Sequence, residues 1–194
     1  MINLLLDSSN TYLSVGLSNE EGLIDYISYE SWQSQSENMV PEIDNLLKKH
    51  HVTRNDISLI VVAIGPGSYT GVRIALTIAK VMALALDIKI YPVSSLRILK
   101  DDDKPSICLI NARSGRSYFG VYKDLEVVEE DKILTNEQVL EYIKTHPGYS
   151  ICGEVKYLGF ENKDTNVCKQ MVSLLTVLKP IENHLALKPI YMKD

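Results

Sequence analysis

Apolar and polar positions along the chain predict strands before helices. Ile2–Leu6 is a short apolar run closed by the turn-forming cluster Asp7-Ser8-Ser9-Asn10. Tyr12–Leu17 and Leu23–Tyr29 read as a second and a third strand. A polar stretch from Trp32 to Asn38 follows. Met39, Val40, Ile43, Leu46 and Leu47 then fall at the spacing of an amphipathic helix. Ser36 is placed to cap that helix, with Pro41 near its first turn, where a missing N–H costs least. Leu59–Ile64 reads as a buried strand broken by Gly65-Pro66-Gly67-Ser68, and a long helix runs on to about Leu86. Ile90–Val93 is another strand, and Ser94 is placed to cap a short helix to Leu99.

The charged, proline-ended stretch Lys100-Asp101-Asp102-Asp103-Lys104-Pro105 marks a boundary. After it one design returns: "INLLLDSSNTYLSVGL" and "SICLINARSGRSYFGVY" are each an apolar strand, a polar residue at its end (Asp7, Asn111), a turn and a second strand. Thr135 and Gln138 have capping-box spacing before a helix with Val139, Leu140 and Ile143 on its apolar side. Tyr149–Cys152 reads as a strand and Asp164–Leu178 as a helix that Pro180 stops. The expected fold class is α/β. A hairpin-led layer used twice is similar to the plan of the actin-like ATPases and sugar kinases. Mixed sheets flanked by helices are expected in two lobes, 1–99 and a shorter 100–194, with the tail able to return to the first.

The stretch "AIGPGSYTGVRIALTIAKVMALAL" poses the functional question. A strand, a Gly-rich turn and a helix start can bind a phosphate, because free N–H groups and the helix dipole converge there. Yet Val72 follows Gly71 where a P-loop needs lysine, and Thr70 stands at the last position of the dinucleotide fingerprint. This favours a strand-to-helix turn over an autonomous nucleotide site. Spaced at about 100° per residue, Val72, Leu76, Ala79, Ala83 and Leu86 share one side, and Ile74, Ile78, Val81 and Ala85 lie nearly opposite. Ala75 and Met82 fill an arc between them, and Arg73, Thr77, Lys80 and Asp87 share a polar strip. The apolar arc spans roughly 220°, where a helix on a sheet needs little more than about 100°. Either the Met39–Leu47 helix or the second lobe covers the outer side, or another chain does; the few long helices available favour another chain.

Charge and composition narrow the alternatives. Net charge is −5, which argues against gripping nucleic acid unaided. The basic spots, Lys48 to Arg54 and the pair Arg113 and Arg116, read as solvated surface. Cys108, Cys152 and Cys168 have no motif spacing, and the four histidines have none of a metal ligand set, so reduced thiols, a cytoplasmic setting and no metal are expected. The first residues lack the basic start of a signal peptide, and Arg73 and Lys80 interrupt the longest apolar run, so no membrane role is expected.

The run Gly65, Pro66, Gly67, Ser68, Tyr69, Thr70, Gly71, Val72, Arg73 and Ile74 closely resembles the signature of the TsaB (YeaZ) family, with Ala75 in place of the usual glycine. The opening strand pair, "SENMVPEIDNLL", "VSSL", "INARSGRSYFGVY" and the closing "KPIYMK" resemble it too. Gln35, Asn111 and Lys193 depart from the residues common there. The resemblance implies two actin-like lobes in a non-catalytic relative of TsaD, the subunit that transfers threonylcarbamoyl to adenosine 37 of tRNA. It implies pairing with TsaD, or with a second copy, through first-lobe helices. The partner-binding residues would be Met39, Val40, Ile43, Leu47, Ile74, Ile78, Val81, Met82 and Ala85. The ATPase TsaE would join through the complex, the chain alone would bind no cofactor while the complex interface leaves room for ATP, and tRNA would be met only indirectly. For catalysis, Asp7 is more readily a turn-former than an acid, Asn111-Ala112-Arg113 supplies no carboxylate, and Ser36, Ser68 and Thr70 have no base nearby in sequence. The alternatives are a stand-alone actin-like kinase or hydrolase, or a nucleotide-sensing adaptor.

Overall fold

The structure, a computed structural model, describes residues 1–192 of the chain; Lys193 lies outside the described residues. β1 (Ile2–Asp7), β2 (Tyr12–Asn19) and β3 (Gly22–Glu30) form an antiparallel meander. α1 (Gln35–Lys49) leads to β4 (Ile57–Ala63), which lies parallel to β1. α2 (Tyr69–Leu86) leads to β5 (Lys89–Val93), parallel to β4. This first sheet has the order β3-β2-β1-β4-β5. The second sheet repeats the plan with one strand fewer. β6 (Ser106–Arg113), β7 (Arg116–Lys123) and β8 (Glu126–Thr135) form its meander; α3 (Asn136–Thr145) precedes β9 (Ser150–Gly153), which pairs in parallel with β6 in the order β8-β7-β6-β9. α4 (Val167–Leu174) follows. The two-sheet α/β plan expected from the repeated hairpin is the one observed.

Strands β1 and β4 read as continuous apolar runs because both of their faces are buried. Side chains alternate across a strand. Leu4, Leu6, Ile60 and Val62 therefore enter a core under α1 and α2. Leu5, Val61 and Ala63 face the other way, into a core between the sheets that includes Cys108, Cys152 and, from α4, Cys168 and Met171. The sheets are also joined at an edge, where Ser94 donates to Asp131 at 2.5 Å and the Tyr122 hydroxyl donates to the same carboxylate.

Three local expectations change. Ser34, not Ser36, precedes α1. Gln35 begins the helix and is buried, its amide donating to the carbonyls of Asn10 and Tyr12 at 2.7 and 3.0 Å. Pro41 consequently sits inside the helix rather than in its first turn. The helix expected at Asp164–Leu178 contracts to α4, capped by Asn166, whose side chain accepts from the amide of Lys169. The Thr135–Gln138 capping box forms as expected, with reciprocal bonds of 2.9 and 3.3 Å. Ser94 accepts from the amides of Leu96 and Arg97 ahead of the 3-10 turn Arg97–Leu99.

Asp25 ties β3 to the end of α1. His50 and Lys49 each donate to its carboxylate at 2.7 Å. Those two bonds hold its pKa down, from 3.8 to about 2. A carboxyl depressed by folding adds stability that is complete above its ordinary value and lost as pH falls through the lowered one. Asp25→Asn is expected to lower Tm at neutral pH, with the gap to the natural chain closing as pH falls through about 2. A calorimetric pH series that kept the gap constant would contradict the assignment.

Candidate partner-binding face and signature turn

The glycine-rich turn is built into the protein's own β1–β2 turn. Ser68 donates its amide to the Ser9 carbonyl at 2.7 Å, and the Ser8 hydroxyl donates to the Gly71 carbonyl at 2.7 Å. The Ser68 hydroxyl caps α2 by accepting from the Gly71 amide at 3.2 Å. A Cβ on Gly67 would lie 2.1 Å from the Ser9 carbonyl oxygen, and one on Gly71 would lie 2.0 Å from that of Ser8. Both glycines are thus demanded by backbone packed on backbone. Gly65 needs its freedom for a second reason, a φ of 101°. Its amide donates to the Ser95 hydroxyl at 3.0 Å and its carbonyl accepts from the Ser95 amide at 2.9 Å, with a cis bond to Pro66.

The β1–β2 turn against which it packs is tied by its own side chains. The Asp7 carboxylate accepts from the amide of Ser9 at 2.8 Å, and Asn10 accepts from that of Tyr12 at 2.7 Å. The polar groups of the β1–β2 turn are largely engaged within the chain, though the buried Ser9 hydroxyl has no partner among the described residues. Asp7 is itself buried, and burial pushes its carboxyl above the ordinary value. This arrangement is a packed strand-to-helix junction. Across the cleft Asn111 acts as a turn-former, accepting from the Arg113 amide at 2.8 Å. Ser36 and Thr70 are exposed, and Ser68 is used as the cap.

The outer end of the signature holds the C-terminal tail. The rings of Tyr69 and Tyr191 stack with centroids 4.9 Å apart. The Arg73 guanidinium lies 3.8 Å from the centre of the Tyr69 ring and donates through Nε to the Tyr191 hydroxyl at 2.5 Å. Ile190 donates its amide to the Ile64 carbonyl at 2.7 Å, Ile181 bridges to Ile90, and Leu187 enters the core beneath α2. Tyr191→Ala removes the stacking and hydrogen-bond partner together, each worth about 1 kcal/mol. Amide exchange at Ile190 is therefore expected to quicken about tenfold or more, while exchange in β1 stays unchanged. Unaltered exchange at Ile190 would show that the clamp does not hold the tail.

α2 lies between α1 on one flank and this tail on the other. Val72, Ala75, Leu76, Ala79 and Ala83 are buried. Ile74, Ile78 and Met82 are half-buried and pack against the same core as α1. The outward ridge is not covered: Val81 is 61% and Leu84 54% exposed, with Ala85 beside them. The set of residues expected to meet a partner therefore divides. Met39, Ile43 and Leu47 point into the core, at 0%, 5% and 8% exposure, because α1 turns its apolar stripe onto β2 and α2; only Val40 of that helix set is exposed. Leu84 was not among them, since the helical wheel puts it on the strip of Arg73 and Thr77.

Comparison with known proteins adds the following. A family model described as TsaD, tRNA N6-adenosine threonylcarbamoyltransferase, matches residues 30–153. The tRNA threonylcarbamoyladenosine biosynthesis protein TsaB of Bacillus subtilis (strain 168) is 38% identical over 181 residues, covering 89% of this chain and 75% of that protein. Uncharacterized protein MG208 of Mycoplasma genitalium is 29% identical over 89% of this chain and 84% of its own length. Among solved structures, YeaZ from Pseudomonas aeruginosa superposes with a TM-score of 0.80 at 20% identity, covering 98% of this chain and 99% of that one.

Proposed function

The chain belongs to the TsaB family, and from that premise we propose that it serves threonylcarbamoyladenosine modification of tRNA as a non-catalytic subunit. It pairs with a TsaD-type transferase through the outward ridge of α2, stabilising and activating it. A TsaE-type ATPase joins that assembly, ATP belongs to its junction, and tRNA reaches this chain only through the transferase. One observation carries the reading: Val81 and Leu84 present branched aliphatic side chains to water on a helix whose other side is already built into the core. Such a ridge gains by association what the chain cannot supply itself, on the order of 1.5–3 kcal/mol for each large side chain buried. The test is a modification assay with the transferase and ATPase, with and without this chain. Modification should depend on it and on co-elution with the transferase; full activity without it would refute the proposal.

A stand-alone kinase or hydrolase would route its chemistry through Asp7. That carboxyl is enclosed, and its pKa is raised by burial. A carboxyl raised by folding contributes stability below its ordinary value of 3.8, lost as pH rises through the raised value. At neutral pH its charge is a cost, whereas asparagine keeps an oxygen for the Ser9 amide. Asp7→Asn is expected to raise Tm at neutral pH, with the gain vanishing in acid, and to leave tRNA modification intact. Loss of modification with a normal Tm would return Asp7 to a chemical role.

A further inference from the structure

Between α2 and the tail lies a pocket of about 380 Å³. Arg73, Lys80 and Lys188 bring three cations to it, Thr77 and Tyr191 bring hydroxyls, and Pro189 supplies an apolar wall. Among the described residues no carboxylate lines it, although the chain as a whole carries a net charge of −5. Arg73 spends Nε on the Tyr191 hydroxyl, and Lys80 reaches the backbone carbonyl of Leu185 at 3.3 Å. Neither they nor Lys188 has an ion-pair partner among the described residues. Among the described residues, three like charges thus share one recess without a counter-charge. That arrangement favours an incoming anion.

The recess adjoins the apolar ridge. Thr77 is one helical turn from Val81, and Lys80 one turn from Leu84. Anything seated on the ridge brings its own surface over the pocket. Resting on the reading of α2 as the pairing face, we infer that this pocket receives an Asp or Glu side chain of the transferase. The apolar ridge supplies affinity, and the carboxylate fixes register and speeds encounter. Charged contacts at an interface rim act mainly on the association rate and on its salt dependence.

The experiment measures association of the transferase with the natural chain, Lys80→Glu, Lys188→Glu, the double variant and Val81→Glu, at low and high salt. Lys188 is exposed on the tail, so its variant leaves the Leu185 anchor of Lys80 untouched. The double variant is expected to associate about tenfold or more slowly at low salt and to lose most of the salt dependence, with a Tm lowered by no more than the single exposed Lys80–Leu185 bond accounts for. Lys80→Arg should keep the natural rate. A double variant that associates at the natural rate with the natural salt dependence would overturn the inference, as would an effect confined to self-association. Val81→Glu separates the two failures. If it pairs normally, the ridge is not the pairing face and the proposed function loses its support. If it fails to pair while the lysine variants behave naturally, only the acidic contact is wrong.

Discussion

Val81→Glu and Leu84→Glu, made singly or together, leave the chain folded and stop it from pairing. Both side chains are more than half exposed, so the folded monomer loses almost nothing when either becomes polar. In the complex each forfeits about 1.5–3 kcal/mol of apolar burial, and the new carboxylate must be desolvated without a partner. At 1.4 kcal/mol per tenfold, the double variant should bind at least about 100-fold more weakly. Circular dichroism and Tm should match the natural chain, while light scattering with the transferase should show separate species and tRNA modification should fall with them. Ile78→Glu is the contrasting case. Ile78 packs half-buried against the α1 side of the core, so a charge there attacks the monomer, and a lowered Tm is expected before any loss of pairing can be read. Natural affinity in the folded double variant would remove the ridge as the interface.

What the sequence disclosed, and what it hid, follows from the same packing. β1, β2, β4 and the meander of β6 and β7 were legible because continuous or alternating apolar runs report burial directly. β8 was not. Five of its ten residues are charged and it runs along an exposed sheet edge, where charge guards against foreign strand pairing and erases the usual signal. The helix at Met39–Leu47 was visible as amphipathic, yet periodicity cannot say whether an apolar stripe faces a sheet or a partner. A partner-facing stripe would expose Met39 and Ile43, and both lie inward. Leu84 was lost to the converse assumption, that a strip holding Arg73 and Thr77 must be wholly polar. The clamp of Arg73 by Tyr191 joins positions 118 residues apart, and no local pattern encodes such a contact. The signature run and the closing segment are each distinct in sequence, but only the fold shows that one grips the other.

The glycines of that signature carry the largest expected effect on stability. Gly71→Ala would put a methyl 2.0 Å from the Ser8 carbonyl oxygen, and Gly67→Ala one 2.1 Å from that of Ser9. Neither obstacle is a side chain that can swing away. Ser8 and Ser9 belong to the β1–β2 turn, which the Asp7–Ser9 bond fixes and the sheet holds from both sides. Relief requires α2 to lift off the turn, which breaks the Ser68–Ser9 and Ser8–Gly71 bonds and opens the core beneath Val72 and Ala75. A loss of about 3–5 kcal/mol is expected, a large share of the 5–15 kcal/mol that holds a domain together, and Tm should fall by roughly 10 °C. Gly115→Ala is the comparison: its Cβ meets open space and only its φ of 71° opposes a side chain, so about 1 kcal/mol is expected. If Gly71→Ala instead melted like the natural chain yet lost binding to ATP, the turn would be a phosphate site after all. Such a result would also unseat the junction reading, because a glycine that tolerates a methyl has no carbonyl pressed against it.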